Sequence, residues 1–336
     1  MRRHVTPWRA VGAIVVLLLA TVVILFSIPS DDYLLLPDIA HPVAPLVRVQ
    51  GGRQATGPGG IYFVDVIERR ASELEKLFPW IHSDATLIPA SLIVPPGSSG
   101  AAVEAADLRE MQISQRVAAA VALRKLGYHV VVKPDGVIVN AVDLNTDAYR
   151  KLQFADVIVA VNGARTPTIT KLREVLSRTK PGDVVQVRVR RGNRTFTEPI
   201  RTVADPQQPG RTLIGIEAAQ SAQIKLPVRV SIDAGGVGGP SAGLAFALEV
   251  MQQLGRNVDR GLRVAATGEM NLDGTVAPIG GVKQKIFDAR KAKADVFLVP
   301  AGENAATARR FAGPLRIIPV RTFDQALHAL STLRRE

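Results

Sequence analysis

Two side chains in the C-terminal third have the types and the surroundings for nucleophilic chemistry. Ser241 closes the glycine-rich run Gly235-Gly236-Val237-Gly238-Gly239-Pro240-Ser241-Ala242-Gly243, which leads into the apolar stretch Leu244 to Val250. Glycine lets a backbone take positive φ and approach a ligand closely. Pro240 suits the entry to a helix, and the N–H groups and dipole at such an entry favour negative charge. An oxyanion forming beside Ser241, between Gly239 and Ala242, would be stabilised there. For the serine taken alone, a helix cap remains the alternative. The loop fits neither phosphate-binding pattern: no Gly-Lys-Ser/Thr precedes the helix, and the glycine spacing is wrong for a dinucleotide fingerprint.

A serine hydroxyl is a weak nucleophile until a base removes its proton. The histidines are His4, His41, His82, His129 and His328. Only His328 lies in this third, so a Ser-His-Asp triad is poorly supported. A lysine can serve when burial lowers its pKa. Gly280-Gly281-Val282-Lys283-Gln284-Lys285 opens a helix expected to run to Ala292. Val282, Ile286 and Ala289 form one apolar face at helical spacing, with Lys285 beside it and Lys283 expected in solvent. A surface charge is the usual fate of a single lysine.

These segments occur in one order: the GGPSAG loop, Thr267-Gly268-Glu269-Met270-Asn271-Leu272-Asp273-Gly274, the helix start at Gly280, and Val296-Phe297-Leu298-Val299-Pro300. Together they resemble the proteolytic domain of Lon proteases, peptidase family S16, across residues 211–333. The resemblance implies Ser241 as nucleophile and Lys285, 44 residues later, as general base. It also implies that Thr267 helps position the lysine, and that Gly239 and Ala242 support the serine. Gly238 stands where many Lon domains carry an aspartate, which leaves the substrate side of the loop open. No ATPase region is recognised in the 336 residues. The implied activity is an ATP-independent serine endopeptidase that needs no metal or cofactor, acting on unfolded or presented polypeptides as a homo-oligomer, by family habit a hexamer.

Upstream, short strands and turns fill residues 127–203. Val184-Val185-Gln186-Val187-Arg188-Val189 alternates as a half-buried strand does. Asn162-Gly163 favours a tight turn, Pro134-Asp135-Gly136 reads as another, and Thr168 or Thr170 can cap a helix through Leu172, Val175 and Leu176. Asp156-Val157-Ile158-Val159-Ala160-Val161-Asn162-Gly163 resembles the signature of PDZ domains, with Ala155 in place of a glycine. The resemblance implies a partly open β-barrel with helices. It places a carboxylate-binding loop at Leu126-Gly127-Tyr128-His129, where an extended peptide would be added to a sheet edge. A PDZ fold that only packs against its neighbour is the alternative.

The PDZ-plus-Lon order resembles a bacterial group of membrane-anchored Lon-like proteins, in which the strand Ile61 to Val66 belongs with the C-terminal half. Ala10 to Ile28 is uncharged and close to the ~20 residues that span a bilayer. Arg2, Arg3 and Arg9 precede it and Asp31 and Asp32 follow, which predicts a single-pass anchor with a cytoplasmic N-terminus and an extracytoplasmic catalytic region, a cleaved signal peptide being the alternative.

The expected organisation is therefore α+β: tip and transmembrane helix at 1–30, a linker at 31–60, an N-terminal part of the Lon-like region at 61–126 containing a helix from Ala101 to Leu126, a PDZ domain at 127–203, and a Lon domain at 210–334. With 47% hydrophobic and only 5% aromatic residues, the cores must be aliphatic. The absence of cysteine excludes disulfides, thiolate metal sites and cysteine nucleophiles. A net charge of +12 is spread without a long basic tract interleaved with aromatics, so nucleic acid is not an expected partner. The rival readings are a non-catalytic PDZ scaffold and a binder of anionic envelope polymers.

Overall fold

The computed structural model describes residues 7–54, 57–94, 100–208 and 210–333. Helix α1 (Pro7–Ser27) is followed by strands β1 (Pro29–Pro37), β2 (His41–Pro42), β3 (Val47–Val49), β4 (Gly60–Phe63), β5 (Val66–Ser72) and β6 (Thr86–Pro89), then by helix α2 (Gly100–Lys125). The chain is a mixed α/β structure, and its N-terminus calls for a correction. Among the described residues no helix is long and apolar enough to cross a membrane. The helix ends at Ser27, because Pro29 starts a strand. Its uncharged part, Ala10 to Ser27, rises about 27 Å at ~1.5 Å per residue, short of the ~30 Å hydrocarbon core. The expected transmembrane helix, the single-pass membrane location and the extracytoplasmic placement that followed from them are not supported. Arg2 and Arg3, which set the expected orientation, lie outside the described residues.

The described residues of 31–60, a stretch expected as a linker, are built into the fold. β1 pairs with β5 on one side and β6 on the other, both antiparallel. Val43 and Val47 are fully buried in the main core, and β3 pairs with a strand from the far end of the chain. Proline and glycine there interrupt helix without preventing burial of the apolar residues between them.

After α2 the chain turns at Gly127, which takes φ +86° and closes the helix end with Tyr128 N–H donating to the Leu123 carbonyl, as a C-terminal glycine does. Strands β7 (Val131–Val142), β8 (Val157–Val161), β9 (Val184–Arg191), β10 (Arg194–Arg201) and β11 (Ile216–Lys225) form one sheet in the order β10-β9-β8-β7-β11, packed on helix α3 (Ile169–Leu176). Val185, Val187 and Val189 are fully buried between exposed neighbours, the period-two signature of a sheet with one covered face. Thr168 caps α3 by accepting from the Lys171 N–H. Ala155 takes φ +60°, the backbone conformation that a glycine in its place would supply without strain.

The expected turn at Pro134-Asp135-Gly136 is absent. β7 runs through it as one bulged strand paired with β11. Gly136 is needed for close approach, since a Cβ there would lie 2.5 Å from the Val157 side chain.

The remaining elements are β12 (Val230–Ile232), α4 (Gly243–Gln253), β13 (Arg263–Ala266), α5 (Val282–Lys291), β14 (Val296–Pro300), α6 (Glu303–Phe311), β15 (Arg316–Val320) and α7 (Phe323–Thr332). β13, β14 and β15 join β2 and β4 in a sheet of order β2-β4-β13-β14-β15, parallel from β4 to β15, while β12 pairs with β3. β4 thus sits beside β13, about two hundred residues later in the chain. Side chains alternate across this sheet. Val264, Ala266 and Leu298 face the core that holds α4 and α2, while Ala265, Phe297 and Val299 face α5 and α6. The two helix layers meet at the edge where β4 gives way to β5, and the candidate site lies there.

Candidate active site

Ser241 stands just before α4, and Ala242, not the serine, is the helix cap residue. The loop that carries it is clamped from both sides. On the α2 side, Ser114 Oγ donates to the Pro240 carbonyl at 2.9 Å and the Gly239 N–H donates to the Asp107 carbonyl at 2.9 Å. On the sheet side, the Gly268 N–H donates to the Ser241 carbonyl at 2.7 Å and the Leu244 N–H donates back to Gly268 at 3.0 Å. Helices α2 and α4 approach so closely at Gly243 that a Cβ there would lie 2.8 Å from Ser114 Oγ.

Lys285 lies in the first turns of α5. Gly281 precedes that helix at φ +67°, and a Cβ on it would come within 2.7 Å of the Val66 side chain. The glycine therefore lets α5 start directly against β5. Val282, Ile286 and Ala289 are buried as their spacing requires. This places the Lys285 side chain, only 4% exposed, inward, where Nζ donates to Ser241 Oγ at 2.8 Å. Burial pushes the Lys285 ammonium down to about 8, with the charges of Asp65, Asp288 and Glu68 opposing the shift. Desolvation therefore outweighs three nearby carboxylates, and the neutral amine is accessible near physiological pH.

Behind the lysine lies an acidic group that the sequence did not announce. Asp288, one turn further along α5, is fully buried, its carboxyl oxygens have no hydrogen-bond partner among the described residues, and burial pushes it up to about 7. Asp65, between β4 and β5, is raised by burial, with His41 opposing. His41 lies 3.3 Å from Asp38 and 3.5 Å from Asp65 and stacks on Phe63. Among the described residues, Asp38, His41 and Asp65 bring ligand atoms within 4.8 Å of one another, a set that could hold a divalent cation.

Other expected residues take places that differ from the reading of the sequence. Thr267 is fully buried, and its hydroxyl donates to the Ser241 carbonyl at 3.2 Å, so it steadies the serine side of the pair. Lys283 is half-buried, not solvated. Its ammonium donates to the carbonyls of Ser83 at 3.0 Å and Ala85 at 2.7 Å and ties α5 to the segment before β6. No histidine lines the cleft around Ser241 among the described residues. That cleft, about 810 Å³, is bounded by the serine loop, α2, β1, β5, β6 and the start of α5.

Leu126, Gly127, Tyr128 and His129 form the turn from α2 into β7. On one side of β7, β11 pairs along its whole length from Val131, while on the other β8 pairs only at Val137 and Ile138. β11 is one of the two edge strands of this sheet, β10 being the other. Between β11 and α3 runs a groove of about 500 Å³. Leu172, Leu176, Ile214, Ile216 and Ala218 line it, with Arg173 and Arg211 at its polar margin. Gly215, at φ +75°, makes the turn into β11. The signal in the sequence was Leu213-Ile214-Gly215-Ile216, a glycine between apolar residues at the start of a strand, placed after the segment that reads as a PDZ domain.

Comparison with known proteins agrees with both halves. Residues 211–332 match the Lon protease (S16) C-terminal proteolytic domain, and residues 125–200 match the PDZ domain. Lon protease 1 of Sorangium cellulosum is 33% identical over 142 residues, 38% of this chain and 17% of that protein. Lon protease 2 of Bacillus subtilis is 36% identical over 104 residues, 31% of this chain and 18% of that protein. The chain thus spans less than a fifth of the length of these relatives. The PDZ domain of the SdrC-like protein from Listeria monocytogenes is 26% identical and covers 25% of this chain and 88% of that domain, with a TM-score of 0.24. The chain carries a PDZ domain at residues 125–200 and, at residues 211–332, a domain that matches the Lon (S16) proteolytic domain.

Proposed function

We propose that this protein is an endopeptidase in which Ser241 is the nucleophile and Lys285 the general base, acting on unfolded polypeptides without ATP. The observation that carries the reading is the 2.8 Å contact between Lys285 Nζ and Ser241 Oγ at a lysine whose buried ammonium is held down to about 8. Neutral Lys285 takes the proton of Ser241 as Oγ attacks the peptide carbonyl carbon. The resulting ammonium gives that proton to the departing amine. The acyl-enzyme is then hydrolysed by a water whose proton Lys285 accepts, and the proton returns to Ser241 Oγ when the carboxylate product leaves. The oxyanion is held by the N–H groups of Ser241 and Ala242, which have no hydrogen-bond partner among the described residues. Gly239 supports this geometry from one step away, because its own N–H is engaged by Asp107. The groove beside β11 takes an extended peptide segment as an added strand.

The test is incubation of the full chain with unstructured casein and quenched fluorogenic peptides, without nucleotide, beside Ser241→Ala and Lys285→Ala. Cleavage that disappears in both variants supports the reading. Cleavage that persists in either one, or none by folded wild type, contradicts it.

A further inference from the structure

The cleft around Ser241 is acidic on a chain whose net charge is +12. Asp65, Glu68, Glu104, Asp107 and Glu269 line it, and among the described residues Lys285 is its one cationic side chain. The five carboxylates come from separate parts of the fold: the β4–β5 junction, β5, helix α2 and the short hairpin in which Glu269–Met270 pairs with Val276–Ala277. No local charge run in the sequence explains their meeting. Among the described residues, Glu68, Glu104, Asp107 and Glu269 form no ion pair with the protein's own lysines, arginines or histidines.

Holding five partly desolvated carboxylates together around a single lysine is costly. Burial raises the pKa of Glu68 and of Glu269, and for Asp107 the neighbouring Glu104 adds to burial. The same wall is also aliphatic, with Leu35, Ile88, Val103 and Leu108 lining the cleft. A surface of aliphatic side chains rimmed by carboxylates matches one kind of peptide side chain: a methylene stem that lies on the apolar wall and a cationic head that meets the acids.

From this juxtaposition of the Ser241–Lys285 pair with a mixed acidic and aliphatic wall, we infer that the cleft selects polypeptide segments carrying arginine or lysine close to the bond presented to Ser241. The inference rests on the proposed peptidase reading for what happens after binding, but not for binding itself. Glu104, Asp107 and Glu269 are the specificity-determining carboxylates, and an arginine can engage a pair of them through its planar fork. The positive charge of the rest of the chain repels such segments from the outer surface and leaves the cleft as their place of binding.

The experiment separates recognition from cleavage. Full-length protein carrying Ser241→Ala is titrated, with fluorescence anisotropy as readout, against two labelled unstructured peptides. The peptides are identical except that arginine in one is replaced by its neutral isostere citrulline in the other. Both are C-terminally amidated, so that recognition of a terminal carboxylate in the β11 groove plays no part. The arginine peptide is expected to bind at least about tenfold more tightly. That preference should fall below about threefold when Glu104→Gln or Glu269→Gln is added, and folding of each variant is checked by its melting transition. Equal binding of the two peptides, no binding of either, or a preference that survives Glu104→Gln, Asp107→Asn and Glu269→Gln alike would overturn the inference. Arginine-selective binding with no wild-type cleavage would sink the dyad and keep the inference. Cleavage of both peptides at one rate, with no difference in binding, would do the reverse.

Discussion

The cleft at Ser241 and the groove at β11 are both places where a polypeptide can lie, and they are built on opposite principles. The groove is shallow chemistry: an unpaired sheet edge, an apolar floor from α3 and two arginines at the margin. Its attraction is the backbone hydrogen bonding that any extended chain can supply. The cleft is deep chemistry: a desolvated lysine, a fully buried aspartate behind it and a ring of carboxylates. There, removal of water shifts proton affinities by amounts that backbone recognition never requires. The two regions are joined by the chain itself, because β11 runs out of the groove into β12 and then into the loop that ends at Ser241. Binding without chemistry needs an open edge, and chemistry without a metal or histidine needs a buried amine. One chain provides each in a different layer.

The comparison breaks most severely at the pair of side chains that defines the cleft. Ser241→Ala and Lys285→Met should each lower kcat/KM for a fluorogenic peptide by at least about a thousandfold, with peptide binding in the groove unchanged by anisotropy. A next and smaller effect concerns pH. Because the folded pKa of Lys285 is held down to about 8, the base is neutral above that value. kcat/KM should fall about tenfold per pH unit below it. Asp65→Asn removes a charge that opposes the shift, so this limb should move to lower pH in a pH–rate profile.

The groove is tested by filling it. Ala218→Trp should weaken binding of a peptide with a free C-terminus by about tenfold and leave the cleavage rate of a short amidated peptide unaltered. The smallest effect is on stability. Burial lowers the Lys285 pKa from 10.5 to about 8, so the unfolded chain holds the proton more tightly. The cost is fully present below the folded value and relieved as pH rises towards the unfolded one. At about 1.4 kcal/mol per unit this is at most ~3 kcal/mol. Lys285→Met should therefore raise stability by about 1–3 kcal/mol at pH 7, measured by denaturant unfolding, despite abolishing activity.

Local signals marked Ser241 and Lys285 as candidates, and it was the order of the motifs, with its resemblance to Lon proteolytic domains, that paired them. A glycine-rich loop before an apolar helix marks the serine, and an apolar face at helical spacing turns the lysine inward. The sheet alternation of Val185, Val187 and Val189 and the cap at Thr168 were legible from local signals as well. What could not be read depends on partners distant in sequence. Lys283 looked solvated because nothing near it in the chain reveals the carbonyls of Ser83 and Ala85. The linker reading failed because Val43 and Val47 are buried by elements two hundred residues away. Pro134-Asp135-Gly136 has the composition of a turn, but β11 draws it into a strand. The carboxylate-binding loop was sought at Leu126–His129, and the groove lies beside the edge strand that follows Gly215. The acids around the cleft come from parts of the chain that share no motif.

The central claim is that the buried amine of Lys285 activates Ser241. The most direct test is the rate at which a serine-reactive phosphonate labels Ser241, read by mass spectrometry from pH 6 to pH 10. The expected result is labelling of wild type that rises through about pH 8 and negligible labelling in Lys285→Met across the range. Labelling of Lys285→Met at the wild-type rate, or a wild-type rate that does not depend on pH, would contradict it.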